Sequence, residues 1–104
     1  MERVAFVMKL KSGFEEEYKR RHDELWPELK TLLKSTGIID YSIFLDPKSL
    51  NLFGVLKISN KHLLDELPGQ EVMRTWWTYM KDIMETNADD SPVSIPLKEV
   101  FYLP

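Results

Sequence analysis

Tyr18, His22 and Trp26 stand four residues apart in the chain. On an α-helix each residue advances about 1.5 Å, so successive members lie about 6 Å apart along one face. That face continues through Phe14, Leu25, Leu29 and Leu32, the spacing of an amphipathic helix over residues 15–33. A stripe that only packs is served by Leu or Ile. This one carries a phenol, an imidazole and an indole. His22 is the member that titrates near neutral pH, with an ordinary pKa of about 6.5, so it is the candidate for giving and taking protons. The competing reading is a surface histidine among charged neighbours.

Trp76 and Trp77 are adjacent, and on a helix their side chains diverge by about 100°, so they cannot fill one core slot. Either one packs while the other lines a cavity, or both are core. Indoles offer flat apolar faces and one donor, which suits stacking on the C–H faces of a sugar. Tyr41 falls on the strand side shared by Ile39 and Ile43. If that side meets the helices, its hydroxyl needs a buried partner, which a ligand can supply. Tyr79, three residues after Trp76, is chemically able to do the same, but nothing singles it out. His22 and His62 lack ligand spacing, and Asp89-Asp90 in a polar loop reads as solvation, so no metal is expected. Neither a glycine-rich phosphate loop nor a G-x-S-x-G elbow occurs, and no cofactor is expected. The residues alone lead to a small cavity with aromatic walls, hydroxyls and one titratable imidazole.

The elements that must position these groups follow from periodicity. Residues 3–10 alternate as a strand, with Val4, Phe6, Met8 and Leu10 on one face. Lys11-Ser12-Gly13 turns into the helix of Tyr18 and His22, which ends near Gly37. Its other face reads as solvated: Glu15, Glu16 and Glu17 precede Lys19, Arg20 and Arg21 by four residues in the favourable orientation. Pro27 breaks the pattern, so the helix kinks, or stops and restarts, just after His22. Either this frees backbone beside His22 for water or a ligand, or it only lets the helix wrap around the sheet. Residues 38–45 and 51–58 form a hairpin about the Asp46-Pro47-Lys48-Ser49 turn, and Gly54 marks a bulge or a close approach to the backbone. Ser59-Asn60 caps a short helix to Leu67, broken at Pro68-Gly69. A second long helix spans about 71–84, with Val72, Trp76, Met80 and Ile83 on one stripe. A last strand lies near 97–103. The order β-α-β-β-α-β predicts an α+β, ferredoxin-like split βαβ fold with one antiparallel sheet and helices on one face.

The other face of such a sheet should be polar in an isolated domain. Here Ala5 and Val7 oppose Phe6 and Met8, and Val100-Phe101-Tyr102-Leu103 hardly alternates. A second copy is the simplest cover, which predicts a homodimer packed sheet to sheet. The 104 residues suit a single domain, 1–104. A net charge of −3 gives no reason to expect nucleic acid or an anionic membrane as partner. The chain has no cysteine, which removes disulfide and thiolate chemistry, and no apolar run long enough for a span. With no leader pattern in the opening residues, the expectation is a cytoplasmic protein.

The sequence resembles the L-rhamnose mutarotase family along essentially its whole length. The resemblance is carried by AFVM at 5–8, EEYKRRHDELWPEL at 16–29, YSIFLD at 41–46, RTWWTYM at 74–80, NADDSPVS at 87–94 and EVFYLP at 99–104. The stretch from Ser59 to Val72 carries no part of it. The resemblance implies a dimeric α+β barrel, His22 as proton donor, and Tyr18, Tyr41, Trp76 and Trp77 as sugar-binding residues. The implied reaction interconverts the anomers of L-rhamnose, with His22 protonating the ring oxygen and no cofactor. Two rivals share the fold class or the pocket chemistry: a small cofactor-independent monooxygenase and a non-catalytic sugar-binding dimer.

Overall fold

The computed structural model describes all 104 residues. Four strands, β1 (Glu2–Lys9), β2 (Ile38–Leu45), β3 (Asn51–Ile58) and β4 (Ile95–Leu97), form one antiparallel sheet in the order β2-β3-β1-β4. Three α-helices, α1 (Glu15–Asp23), α2 (Pro27–Ser35) and α3 (Glu71–Met80), and a 3₁₀ segment at Lys61–Gly69 complete the chain. Element order and sheet order are those of the ferredoxin-like split βαβ arrangement.

The register explains which residues enter the core. Val4 faces Leu56, Phe6 faces Gly54 and Met8 faces Leu52 across β1 and β3, while Tyr41, Ile43 and Leu45 extend the same side into β2. Helices cover that side. Met8, Leu10, Tyr18, Leu29, Leu52, Met73, Trp76, Met80, Ile83 and Met84 form the main buried cluster. A smaller one at Ile38, Leu56 and Ile58 lies under Leu63 and Leu64 of the 3₁₀ segment. Gly54 sits in regular pairing, so it marks a close approach rather than a bulge. A Cβ there would lie 2.5 Å from Cζ of the Phe6 ring.

The bulge falls instead between Ile38 and Asp40. It turns Ile39 out to solvent and corrects the expectation that Ile39 shares a face with Tyr41. The long first helix is two helices. Trp26 takes the extended conformation (φ −59°, ψ 133°) demanded of a residue before proline, and Pro27 opens α2, where its missing N–H costs nothing. The carbonyl of His22 still accepts from the N–H of Leu25 at 3.2 Å, whereas the Asp23 carbonyl, which Pro27 cannot serve, has no backbone N–H partner. Helix α3 ends four residues short of expectation, yet Ile83 and Met84 stay buried in the turn beyond it.

The last strand is also revised. Only Ile95–Leu97 pairs with β1, and residues 98–104 have no regular structure. An edge strand gains hydrogen bonds on one side alone, so an apolar, barely alternating run does not by itself specify pairing. Arg3 holds this tail beside β1 through Glu99 at 2.9 Å and the ring of Tyr102 at 3.4 Å.

Candidate active site

Tyr18 and His22 are both on α1, and their rings lie 4.3 Å apart, tilted by 31°. His22 then meets Trp76 of α3 edge to face at 5.4 Å. Trp76 also meets Trp26 at a near-perpendicular angle, at 5.0 Å. Tyr18 and His22 are neighbours as the spacing predicts, whereas Trp26 does not meet His22 directly but through Trp76. Trp26 is no longer on the helix of His22, and α3 brings the two together.

Trp76 is only 6% exposed and belongs to the core. Trp77, half-buried, packs against the core edge and leaves part of its indole outside. Of the adjacent pair, Trp77 is thus the one with surface free for a ligand. Tyr41 lies edge-on to Phe6 at 6.1 Å, close enough to Tyr18 for the two phenols to influence each other. Two hollows flank these residues. Trp26 walls one of about 220 Å³. Tyr41 walls another of about 170 Å³ with Leu25, Lys34 and Asp40. His22 lines neither.

The electrostatics assign protonation states. Nδ1 of His22 lies 2.9 Å from the carbonyl oxygen of Tyr18. A carbonyl only accepts, so Nδ1 carries the hydrogen and Nε2 is left for a ligand. Burial pushes the imidazole below its ordinary value, against the opposing pull of the Tyr18 carbonyl and the Asp23 carboxylate. At neutral pH His22 is therefore an uncharged ring with a lone pair on Nε2. Burial raises the phenols of Tyr18 and Tyr41, so both keep their protons.

Two residues were missed or misread in the sequence. Tyr79 stacks at 5.5 Å from Trp26 and 5.6 Å from Trp76. Arg21, read as part of a solvated face, is 8% exposed and is the buried charge of the molecule. Of the three expected ion pairs on α1, only Glu17–Arg21 forms; Lys19 binds Asp23, and Arg20 binds Glu17 and Glu24. The available signal was that Arg21 follows Tyr18 by three residues, which places both on one side of the helix.

The sheet and its cluster define a class: a ferredoxin-like α+β scaffold with a tethered, uncharged imidazole among phenols and indoles between helix and sheet. A sequence model described as L-rhamnose mutarotase matches residues 3–103. An L-rhamnose mutarotase of Brucella anthropi is 56% identical over 103 residues, covering 99% of this chain and 97% of the relative. The crystal structure of the L-rhamnose mutarotase from Formosa agariphila superposes with a TM-score of 0.94 at 51% identity, each chain covered completely. The chain belongs to the L-rhamnose mutarotase family. A crystal structure titled antibiotic biosynthesis monooxygenase matches at a TM-score of 0.51 and 14% identity, over 94% of this chain and 97% of its own. That likeness shows the shared fold alone.

Proposed function

We propose that the chain interconverts the α and β anomers of L-rhamnose, with His22 carrying the proton. Family membership over the full length supports the substrate. The observation that carries the mechanism is the bond between Nδ1 of His22 and the Tyr18 carbonyl, which leaves Nε2 as the only working nitrogen. Mutarotation requires a proton removed from the anomeric hydroxyl and one delivered to the ring oxygen. The bond between the anomeric carbon and the ring oxygen breaks, and the open aldehyde turns and recloses on its other face. Neutral His22 has no proton at Nε2 to give at the outset, so in place of the expected protonation of the ring oxygen it acts first as a base. It takes the anomeric proton on opening and, as an imidazolium, returns it to the carbonyl oxygen on closing. Water exchanges the second proton at the ring oxygen.

The anomers already interconvert in water, so a modest acceleration suffices, and one positioned acid or base supplies about 10²–10⁴-fold. Tyr18 and Tyr41 stay protonated and orient sugar hydroxyls. The outer part of Trp77 stacks on the apolar side bearing the 6-deoxy methyl, while Trp76 backs the imidazole. One domain, residues 1–104, is the unit of this activity. We also propose a cytoplasmic homodimer closed through the open sheet face, with a sugar as ligand and neither nucleic acid nor membrane as partner.

The test is NMR saturation transfer between the two anomeric protons of L-rhamnose, with and without protein. Enhanced exchange is expected, and His22→Ala is expected to lose most of it while remaining folded. No enhancement for L-rhamnose or related aldoses would overturn the reading. Unchanged exchange in the variant would remove His22 from the mechanism.

A further inference from the structure

Helix α1 carries Tyr18 and His22, yet it has little to hold it in place. Of its nine residues, EEEYKRRHD, seven are charged, and only Tyr18 and Arg21 are buried. A helix with so narrow an apolar face gains little from the hydrophobic effect, which elsewhere seats helices on sheets. Its position has to come from another interaction.

The Arg21 side chain provides one. Its Nη1 donates to the carbonyl of Tyr79 at 2.7 Å and to Asp82 at 2.9 Å, and its Nη2 reaches the second Asp82 oxygen at 3.1 Å. Its Nε donates to Glu17, one turn back on α1, at 2.7 Å. The guanidinium carbon also lies 4.4 Å from the centre of the Tyr79 ring. This cation sits at the C-terminal end of α3, where it satisfies a terminal carbonyl and complements the helix dipole. The anchoring points belong to the last turn of α3 and the residues just beyond it. The same helix carries Trp76, and the Tyr79 ring packs at a tilt against both Trp76 and Trp26.

We infer that Arg21 is a positioning residue: its guanidinium fork fixes the helix bearing His22 against the helix bearing Trp76, so that Nε2 of His22 meets the sugar at the required distance. The inference rests on the mutarotase reading and deepens it. Arg21 itself does not touch the reacting atoms. A lysine cannot replace it, because a single ammonium on a flexible stem does not match two carboxylate oxygens and a carbonyl from one rigid plane. An imidazole displaced by about 1 Å loses rate out of proportion to its loss of binding, up to about 10²-fold.

The experiment compares anomer exchange at low and saturating L-rhamnose for the wild-type chain, Lys19→Met, Arg21→Lys and Arg21→Met, per folded molecule. Lys19 is the exposed neighbour whose ion pair, with Asp23, stays on its own helix, and its variant is expected to match the wild type. Arg21→Lys is expected to lose about tenfold or more in kcat with KM within about threefold, and Arg21→Met to lose more. If Arg21 variants do not fold, Asp82→Ala, at an exposed position, carries the test with the same expected split. A lower melting temperature with kcat within about twofold of wild type, in Arg21→Lys or in Asp82→Ala, would reduce Arg21 to a purely structural role. An inactive wild-type chain would sink the sugar reading and this inference together, whereas an active one with unaffected variants would sink the inference alone.

Discussion

With His22 as the proposed proton carrier, its one free ring nitrogen predicts a pH dependence. Burial holds its pKa below the ordinary 6.5, so the free base prevails at neutral pH and is lost as the pH falls through that lowered value. Exchange should therefore be flat near pH 7 and decline on the acid side with a midpoint below about 6.5. An enzyme needing His22 first as an acid would decline in the opposite direction, as the pH rises; a pH–rate profile separates the two. The tryptophans divide by burial. Trp76→Ala empties a core site and should cost about 3–5 kcal/mol in urea unfolding. Trp77→Ala should cost less stability and mainly raise the L-rhamnose concentration needed for saturation. Were saturation unchanged and only stability lost, Trp77 would belong to the core. The residue types were legible in the sequence, including Tyr18, His22, Tyr41 and both indoles. The burial of Arg21 was not, because a charged residue in a run of charges carries no mark of the partner it meets 61 positions later.

At the scale of elements, β2 and β3 agree with the expected 38–45 and 51–58 because alternation, turn chemistry and burial all point the same way. Within that hairpin Gly54 has a packing reason. The Phe6 ring lies over its backbone, and a methyl group placed there would overlap it. Gly54→Ala is expected to cost about 1–3 kcal/mol by thermal or urea unfolding, and combining it with Phe6→Leu should recover part of the loss. No loss in the single variant would mean that the ring moves aside freely. Pro27 shows a local rule with two permitted outcomes. Its ring forbids a continuous helix, but whether the chain kinks or restarts depends on what the next turn packs against. Leu29 is buried and sits on α2, so the restarted helix is the outcome that serves the core.

For the molecule as a whole, the sheet has one covered and one open face. On the open face Phe44 is 63% exposed, and Val55, Ile95 and Leu97 are exposed beside it. Val100, Phe101 and Leu103 of the tail add further exposed apolar surface. A contiguous apolar area of this kind marks an association surface in a soluble protein. Two copies meeting through it give a closed, self-complementary contact. Sedimentation equilibrium should give a dimer, and Phe44→Glu or Val55→Glu should shift it toward monomer by placing a charge in the contact. A wild-type chain that sediments as a monomer at tens of micromolar would remove the sheet-to-sheet dimer.

The sequence by itself determined the hydrophobic period of each segment, the turn chemistry between them, and so the β-α-β-β-α-β order and the choice of aromatic and imidazole groups. Those properties depend on neighbours within a few residues. It also showed that both sheet faces are apolar. The tertiary structure decided what depends on distant partners. It ended β4 after three residues and left the apolar tail beyond it outside the sheet. It settled Trp76 in the core with Trp77 half-buried at its edge, a choice made by the helix rotation that packing selects. It also buried Arg21 against Tyr79 and Asp82. A guanidinium is withdrawn from water only where several acceptors converge, and here most of them come from the far end of another helix.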